Sequence, residues 1–216
     1  MAAGDTQGAA QPGGQAGGYS PLLQRLPWAR VALTPLEDSD LDAVHRWQND
    51  PGLRDLTMGF RLPLPRAAVR DWIDGLRSPA VQGARVVYAI RHQGAAAGIV
   101  QLYGMTPGQR RADLGVFLDP GHRRQGLGMA AMGLALDFGF NGLDLRRVTA
   151  ETLATNRGMI RACEALGFRH EGCRRQEYFA DGRARDVLIY GLLAAEFVLR
   201  PMPAGALRLC RSMPAP

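Results

Sequence analysis

The sequence predicts an α/β fold of the α+β type, in which a mixed, mostly antiparallel central sheet carries flanking helices. Three β-rich segments follow one another between residues 85 and 118, separated by short turns, as in an antiparallel meander. An apolar stretch with helical spacing then interrupts the strands at 128–140. Further along, a second pair of strand patterns flanks Asp181 and Gly182, which form a favourable hairpin turn.

The individual elements are predicted from the spacing of their apolar residues. Strands are expected where apolar and β-branched residues run between turn residues, at 30–34, 85–91, 97–103, 112–118, 147–152, 172–179 and 185–193. Helices are expected where apolar residues recur three and four positions apart, at 38–47, 66–76, 128–140 and 157–166. Asp38 or Ser39 is expected to cap the first helix, because both side chains accept hydrogen bonds from a helical first turn.

The chain of 216 residues is expected to form one domain between two tails. Residues 1–21 are rich in Gly, Ala and Gln and hold few large apolar groups, so they are expected to be disordered. The domain is assigned to residues 29–199. Residues 200–216 carry prolines at 201, 203, 214 and 216, which predicts an irregular end.

Charge and composition narrow the classes of partner. The net charge is +6, but every basic residue is an arginine and the arginines are spread along the chain, so no nucleic-acid partner is expected. The 3 cysteines lack Cys-x-x-Cys spacing and the 4 histidines lie far apart, which favours a reducing, cytoplasmic location and no metal site. No apolar run approaches about 18 residues, so no membrane partner is expected.

The most informative stretch is 113–140, where a short strand, a proline, a basic pair and a Gly-x-Gly lead into a helix. Gly126 and Gly128 allow the backbone to approach a ligand closely, and the first helical turn offers unpaired N–H groups at its positive end. Arg123 and Arg124 add positive charge at the same place. The stretch therefore predicts a site for a ligand that carries a pyrophosphate.

One kind of pyrophosphate ligand is a dinucleotide, because Gly126-x-Gly128-x-x-Ala131 satisfies the dinucleotide-binding fingerprint. That fingerprint forms the turn directly after its strand, whereas here residues 119–125 intervene and Pro120 has already ended the strand. A phosphate loop of the Walker type is excluded, because the chain contains no lysine.

The other kind of ligand is coenzyme A, since 123–128 matches position by position the Arg/Gln-x-x-Gly-x-Gly/Ala loop that binds its pyrophosphate. At this point the chain resembles the GNAT superfamily of acetyl-CoA-dependent N-acetyltransferases. Residues 113–120 look like the central strand of that family with its terminating proline. Residues 156–168 look like its second motif, in which an Asn opens a helix that ends in Leu-Gly-Phe. The resemblance covers about 29–199 and implies the acetyl-CoA N-acyltransferase fold.

The resemblance implies that acetyl-CoA binds as a co-substrate along the loop and the central strand. Loop N–H groups are expected to cradle the pyrophosphate, and strand backbone groups are expected to meet the pantetheine arm. Asn156 is carried over as a cofactor contact, although it equally fits the N-cap of its helix. The residues assigned to the cofactor are Val116, Phe117, Arg123, Arg124, Gln125, Gly126, Leu127, Gly128, Met129 and Asn156.

The resemblance also implies a direct transfer, in which a deprotonated amine attacks the thioester within a ternary complex. Asp113 and Glu177 are the candidate bases, although each also fits an ordinary exposed charge. Many members place a Tyr seven residues after the motif Asn, as the acid that protonates the leaving thiolate. This chain has Cys163 there, as a replacement acid or as a small buried hydrophobic residue.

The segment 167–186 resembles a subgroup that contains ribosomal-protein N-terminal and spermidine acetyltransferases. The acceptor is therefore expected to be a protein N-terminus or a small amine (an amino sugar, a polyamine or an antibiotic). The net charge of +6 on the protein argues against a polyamine, which is itself positively charged. Trp47, Tyr103, Tyr178 and Phe179 are candidate acceptor-binding residues, unless they belong to the core. The alternative is a catalytically weak CoA-binding or regulatory module of the same fold. A monomer or a homodimer is expected.

Overall fold

The computed structural model describes residues 31–58, 62–76, 78 and 84–197. The two predicted tails, 1–21 and 200–216, lie outside the described residues. So do the first residues and the last residues of the predicted domain.

One sheet of 7 strands forms the centre of the described structure. The strands are β1 (Val31–Thr34), β2 (Val86–His92), β3 (Ala95–Thr106), β4 (Arg111–Leu118), β5 (Arg147–Leu153), β6 (Arg169–Ala180) and β7 (Arg183–Leu193). The helices are α1 (Leu41–Asn49), α2 (Pro51–Leu56), α3 (Arg66–Gly75), α4 (Leu127–Asp137) and α5 (Arg157–Ala165). Helix α4 continues into a π-helical turn at Phe138–Gly142, close to its predicted end.

The strand order is β1-β2-β3-β4-β5-β7-β6. Within this sheet β4 and β5 run parallel, and every other neighbouring pair is antiparallel. The predicted mixed, mostly antiparallel sheet with flanking helices is confirmed. The hairpin returns so that β7, and not β6, pairs with β5. This leaves β6 at the edge of the sheet.

Alternating side chains on each strand build a core on each face of the sheet. On one face, Leu114 and Ala150 pack with α4 and α5. On the other face, Ile99 and Phe117 pack with α1, α2 and α3, where Trp47 lies. Helix α4 is buried around nearly its whole circumference, which explains why its sequence is apolar on all sides.

The start of α1 is anchored to the sheet by a buried ion pair. Arg91 on β2 donates to both oxygens of Asp40, at 2.6 and 2.7 Å, and its Nε donates to Thr34 Oγ1 at 2.9 Å. Asp40 also accepts from the N–H of Glu37 at 2.9 Å. Since Asp40 is almost fully buried, this pairing fixes where α1 can begin.

The structure differs from the predicted elements near α1 and β6. Asp38 and Ser39 lie in a short 3₁₀ turn at Asp38–Asp40 and do not cap α1. Helix α2 was not predicted; Asp50 caps it by accepting from the N–H of Leu53 at 2.7 Å. Strand β6 begins three residues before its predicted start. The prediction missed these residues because they are polar and exposed on an edge strand, so they show no apolar alternation.

Gly98 generates a prediction about the pairing of β3 with β4. A methyl group there would lie 2.2 Å from the carbonyl oxygen of Phe117 and 2.9 Å from the Cα of Leu118, both backbone atoms. Gly98→Ala is therefore expected to lower the free energy of unfolding by about 1–3 kcal/mol, because the β4 backbone must shift. Urea unfolding measures this change.

Gly172→Ala is the matched control, since a methyl group there meets nothing within 4 Å. It is also a strand glycine, and its substitution is expected to change the free energy of unfolding by less than about 0.5 kcal/mol. Equal losses in the two variants would contradict the predicted backbone clash.

Candidate active site

The parallel strands β4 and β5 separate part-way along their length. Their pairing ends at Leu114 opposite Ala150, although β4 continues to Leu118 and β5 continues to Leu153. Over the same residues β4 stays paired with β3 and β5 stays paired with β7. The two halves of the sheet therefore diverge and open a cleft between the ends of β4 and β5.

Strand geometry decides which backbone groups of β4 face this cleft. The N–H of Asp119 donates to the carbonyl of Ala97 at 2.8 Å, so Asp119 is bonded toward β3. Because backbone groups alternate between the two edges of a strand, those of Phe117 also point toward β3. Those of Val116 and Leu118 point toward the cleft. The arrangement offers Val116 for a backbone contact with a ligand, whereas Phe117 contributes its ring to the core.

The loop that follows β4 has the geometry of an anion cradle. Arg124 and Gly126 have φ of +62° and +77°, in the left-handed region. Gly126 precedes α4, and the first N–H bonded back to it is that of Ala130, at 3.0 Å. The N–H groups of Leu127, Gly128 and Met129 are therefore not used by the helical ladder. They lie at the positive end of a helix of 11 residues.

Arg123 and Thr152 each have a buried polar atom that finds no hydrogen-bond partner among the described residues. Arg123 donates through Nε to the carbonyl of Leu118 at 3.3 Å, but its Nη2 is buried and unpaired. Thr152 lies on β5 beyond the divergence, and its hydroxyl is also buried and unpaired. Buried polar groups normally have partners, so these atoms fit a polar ligand with a phosphate near the loop. The loop therefore suits a ligand that carries a phosphate or a pyrophosphate.

Trp47 holds the loop to the first helix. Its indole N–H donates to Oδ2 of Asp119 at 2.7 Å, and its ring lies 5.7 Å from that of Phe117 in an edge arrangement. Burial raises the pKa of Asp119, but the bonds from Trp47 and from the N–H of Gly121 and the charge of Arg46 bring the pKa below its usual value. Trp47 is 2% exposed. The structure thus places this predicted acceptor residue in the core.

Asn156 lies at the end of β5, opposite the loop across the cleft. Its side-chain oxygen accepts from the N–H of Met159 at 3.2 Å, so it caps α5. Both motifs of the sequence thus come together at the carboxyl ends of the two diverging strands. Such an edge is where open sheets commonly bind ligands.

Asp113 and Tyr103 lie side by side on the face that carries α1 to α3. They are direct partners in the β3–β4 pairing, and Asp113 precedes the point of divergence. Burial raises the pKa of Asp113; Arg111 and Arg147 oppose that increase, and Glu151 adds to it. Burial also raises the pKa of Tyr103, with further increases from the charges of Asp113 and Glu151.

Glu151 and Arg174 lie beside the cleft and were not predicted from the sequence. Glu151 is the first residue of β5 beyond the divergence, and Arg174 on β6 binds both of its carboxylate oxygens. The Nε of Arg174 lies 3.3 Å from Oε1 of Glu177, the predicted base, as an ion pair. Glu177 therefore lies against an arginine that also binds Glu151. An isolated acidic residue in a strand pattern was the available signal for Glu151.

The predicted aromatic residues of the hairpin lie apart from one another. Tyr178 is half-buried and pairs with Arg185, whereas Phe179 is 64% exposed. Arg185 also reaches Asp55 of α2 at 2.5 Å. This ion pair joins the helices on one side of the cleft to the hairpin on the other side. Tyr178 therefore lies next to this ion pair.

Cys163 lies inside the core between α5 and the sheet. Its side chain is 0% exposed. Burial, with a smaller contribution from Glu164, raises the pKa of its thiol to about 12. The thiol is therefore protonated at neutral pH and is a weak proton donor.

No group of three His, Cys, Asp or Glu side chains in the described part of the chain is arranged to hold a metal ion. In that same part, no helix is long and apolar enough to cross a membrane.

The divergent strands and the loop at their ends define an acyl-CoA-binding member of the α+β class. Residues 30–169 match the model of a family described as the acetyltransferase (GNAT) domain. The chain belongs to this family. It is an acetyl-CoA-dependent N-acetyltransferase that acts on an amine. The alternative, a catalytically weak CoA-binding or regulatory module of the same fold, is not favoured.

Similar proteins agree with this assignment. The spermidine N(1)-acetyltransferase of Escherichia coli K12 is 28% identical over 158 residues, which are 73% of this chain and 83% of that protein. The N-acetyltransferase p20 of Bacillus licheniformis is 25% identical over 81% of this chain and 99% of its own length. The structure of Vibrio cholerae spermidine N-acetyltransferase in complex with CoA and spermine superposes with a TM-score of 0.72. It is 21% identical, and the match covers 78% of this chain and 98% of that one.

Proposed function

We propose that the acetyl donor lies in the cleft between β4 and β5 and that the amine approaches between α2 and the β6–β7 hairpin. The observation that carries this proposal is the end of the β4–β5 pairing at Leu114, from which β4 continues alone to Leu118 and into a loop built for an anion. The neutral amine nitrogen attacks the thioester carbonyl carbon, the C–S bond breaks, and the thiolate leaves. The nitrogen gives one proton to water as the amide forms, and the thiolate takes up a proton. Both substrates are bound at once, so no acetyl-enzyme is formed.

The cofactor roles follow from which groups are available around the cleft. The pyrophosphate would accept from the N–H groups of the loop and the first turn of α4, and from Arg123 and Arg124. The backbone of Val116 would bind the pantetheine arm, and Asn156 would contact the cofactor while it caps α5. Met129 and Phe117 would support these contacts by packing, since both lie against the cores. No metal takes part in this proposal.

Arg123→Ala tests the position of the donor. The variant is expected to raise the Kd for acetyl-CoA by about tenfold, because the phosphate loses its charge-assisted hydrogen bond to a partly buried guanidinium. Arg161→Ala is the control, since Arg161 is exposed and donates to the carbonyl of Arg157 in its own helix. Titration calorimetry measures both variants. An unchanged Kd in Arg123→Ala would contradict the proposed site of the pyrophosphate.

Asp113 is the preferred candidate for the general base. Its pKa is raised by burial, which makes a carboxylate a better proton acceptor near neutral pH. Glu151 and Glu177 lie nearby, but Arg174 faces both carboxylates. The ammonium proton would pass to Asp113, directly or through a water molecule, before the attack on the thioester.

Asp113→Asn is expected to lower kcat/KM by about 100-fold and to remove the acidic limb of the pH profile. That limb lies above the usual carboxyl value of 3.8, because the folded pKa is raised. The stability given by a raised carboxyl pKa is present below the unfolded pKa and is lost as pH rises through the folded pKa. Ionised Asp113 is therefore unfavourable at neutral pH, and the variant should have a higher Tm there. If the limb persists in Asp113→Asn and disappears in Glu151→Gln or Glu177→Gln, Asp113 is not the base.

Cys163 is an unfavourable acid for the leaving thiolate. An ordinary thiol has a pKa of about 8.5, well below that of buried Cys163, so a proton would not move readily from Cys163 to the thiolate. Water would protonate the thiolate instead. Cys163 would then serve as a small apolar residue between α5 and the sheet.

Cys163→Ala is expected to keep kcat within about threefold, rather than to show the roughly 100-fold loss caused by removing a general acid. Its free energy of unfolding should fall by about 1 kcal/mol, because a small cavity remains. Cys163→Ser is the matched comparison. If Cys163→Ala were inactive and Cys163→Ser were active, the result would support Cys163 as the general acid.

The acceptor is proposed to be a protein N-terminus or a small amine, with Tyr103 and Tyr178 beside it. The spermidine acetyltransferases among its relatives raise a polyamine as one candidate. We place the reaction in the cytoplasm, because the spacing of the three cysteines does not suggest disulfide bonds and so favours a reducing compartment. A monomer or homodimer is proposed, without a nucleic-acid partner.

A further inference from the structure

A bulge in β6 brings Glu177 back toward Arg174. Arg174 pairs with Val187 and Tyr178 pairs with Arg185, so β6 has extra residues between two closely spaced partners on β7. Gln176 in the bulge has φ of +55°, and its N–H donates to Oδ1 of Asp186 at 2.9 Å. The distortion is therefore fixed by the neighbouring strand.

Arg174 is held by carboxylates from two directions. Its Nη1 donates to Oε1 of Glu151 at 2.9 Å, and its Nη2 donates to the other oxygen of the same carboxylate. On its other side, Glu177 faces Nε at 3.3 Å. The guanidinium thus reaches across β7 from the edge strand to the first residue beyond the β4–β5 divergence. The protein therefore places a positive charge of its own, the Arg174 guanidinium, beside the cleft.

Two other carboxylates of this region also face arginines. Glu171 is bound by both terminal nitrogens of Arg147, and Asp55 is bound by Arg185. The charges of Arg111 and Arg147 act on Asp113. An acceptor with several ammonium groups needs carboxylates that it can pair with, and here it would compete with arginines already in place.

We propose that Arg174 is a specificity-determining residue that restricts the acceptor to molecules with a single ammonium group. This inference rests on the proposed function. The guanidinium occupies Glu151 and Glu177, where a second ammonium group of a polyamine would otherwise bind. A peptide N-terminus with neutral neighbouring residues and an amino sugar with no second charged group both have the required chemistry, and a comparison of both acceptors separates them.

The test measures kcat and KM by release of the CoA thiol with spermidine, glucosamine and a short peptide that begins with Ala or Ser. The wild-type protein is expected to show a kcat/KM for glucosamine or the peptide about tenfold or more above that for spermidine. Arg174→Gln is expected to raise kcat/KM for spermidine by about tenfold, through KM, without raising the values for the monoamines. Arg174→Lys keeps the cation and should retain the wild-type preference.

Arg169→Gln is the matched control, because Arg169 is on the same strand and pairs with Glu196 at 2.9 Å, away from Glu151. It should leave the preference unchanged. If Arg174→Gln does not fold, spermidine is tested as an inhibitor of the wild-type reaction with a monoamine, where weak competition is expected.

The inference would be overturned if the wild type preferred spermidine or if spermidine competed strongly with a monoamine. It would also be overturned if Arg174→Gln lowered kcat/KM equally for all acceptors. Failure of every tested amine to release the CoA thiol would instead contradict the proposed function.

Discussion

The divergence of β4 from β5 is the constraint on which the rest of the site depends. Parallel strands that stayed paired to their ends would satisfy each other's backbone groups and leave no room for a ligand. Here the pairing stops at Leu114 and Ala150, while β3 and β7 hold the outer edges in place. Val116 is left with backbone groups that face the cleft. The same divergence brings the loop after β4 and Asn156 after β5 to one end of the sheet.

The remaining parts of the site are fixed by contacts between the two cores. Trp47 packs under β4 and binds Asp119, so the helices of one face position a loop whose following helix packs on the other face. Across the cleft, the Asp55–Arg185 ion pair joins α2 to the hairpin. The charged groups on this side of the cleft therefore belong to elements far apart in the chain. We propose that their arrangement, more than the net charge, selects the amine.

Local patterns predicted most of the elements and the donor loop, because strand alternation, helical spacing and glycines act over a few residues. The loop at 123–128 has left-handed conformations at Arg124 and Gly126, and its basic and glycine residues indicated it in advance. The Arg174–Glu151 pair was not predictable in this way, because it depends on β7 lying between β5 and β6. Trp47 shows the opposite difficulty, since an aromatic residue with helical spacing fits both a core and a binding site.

Hydrogen–deuterium exchange with and without CoA tests the central claim most directly, because it reports on backbone N–H groups. The account predicts slower exchange on CoA binding in the second half of β4 and in the first turn of α4, with no change in β2. Those segments hold the N–H groups that face the cleft and are not used by the helix. Protection confined to other segments, or none at saturating CoA, would contradict the placement of the donor between the diverging strands.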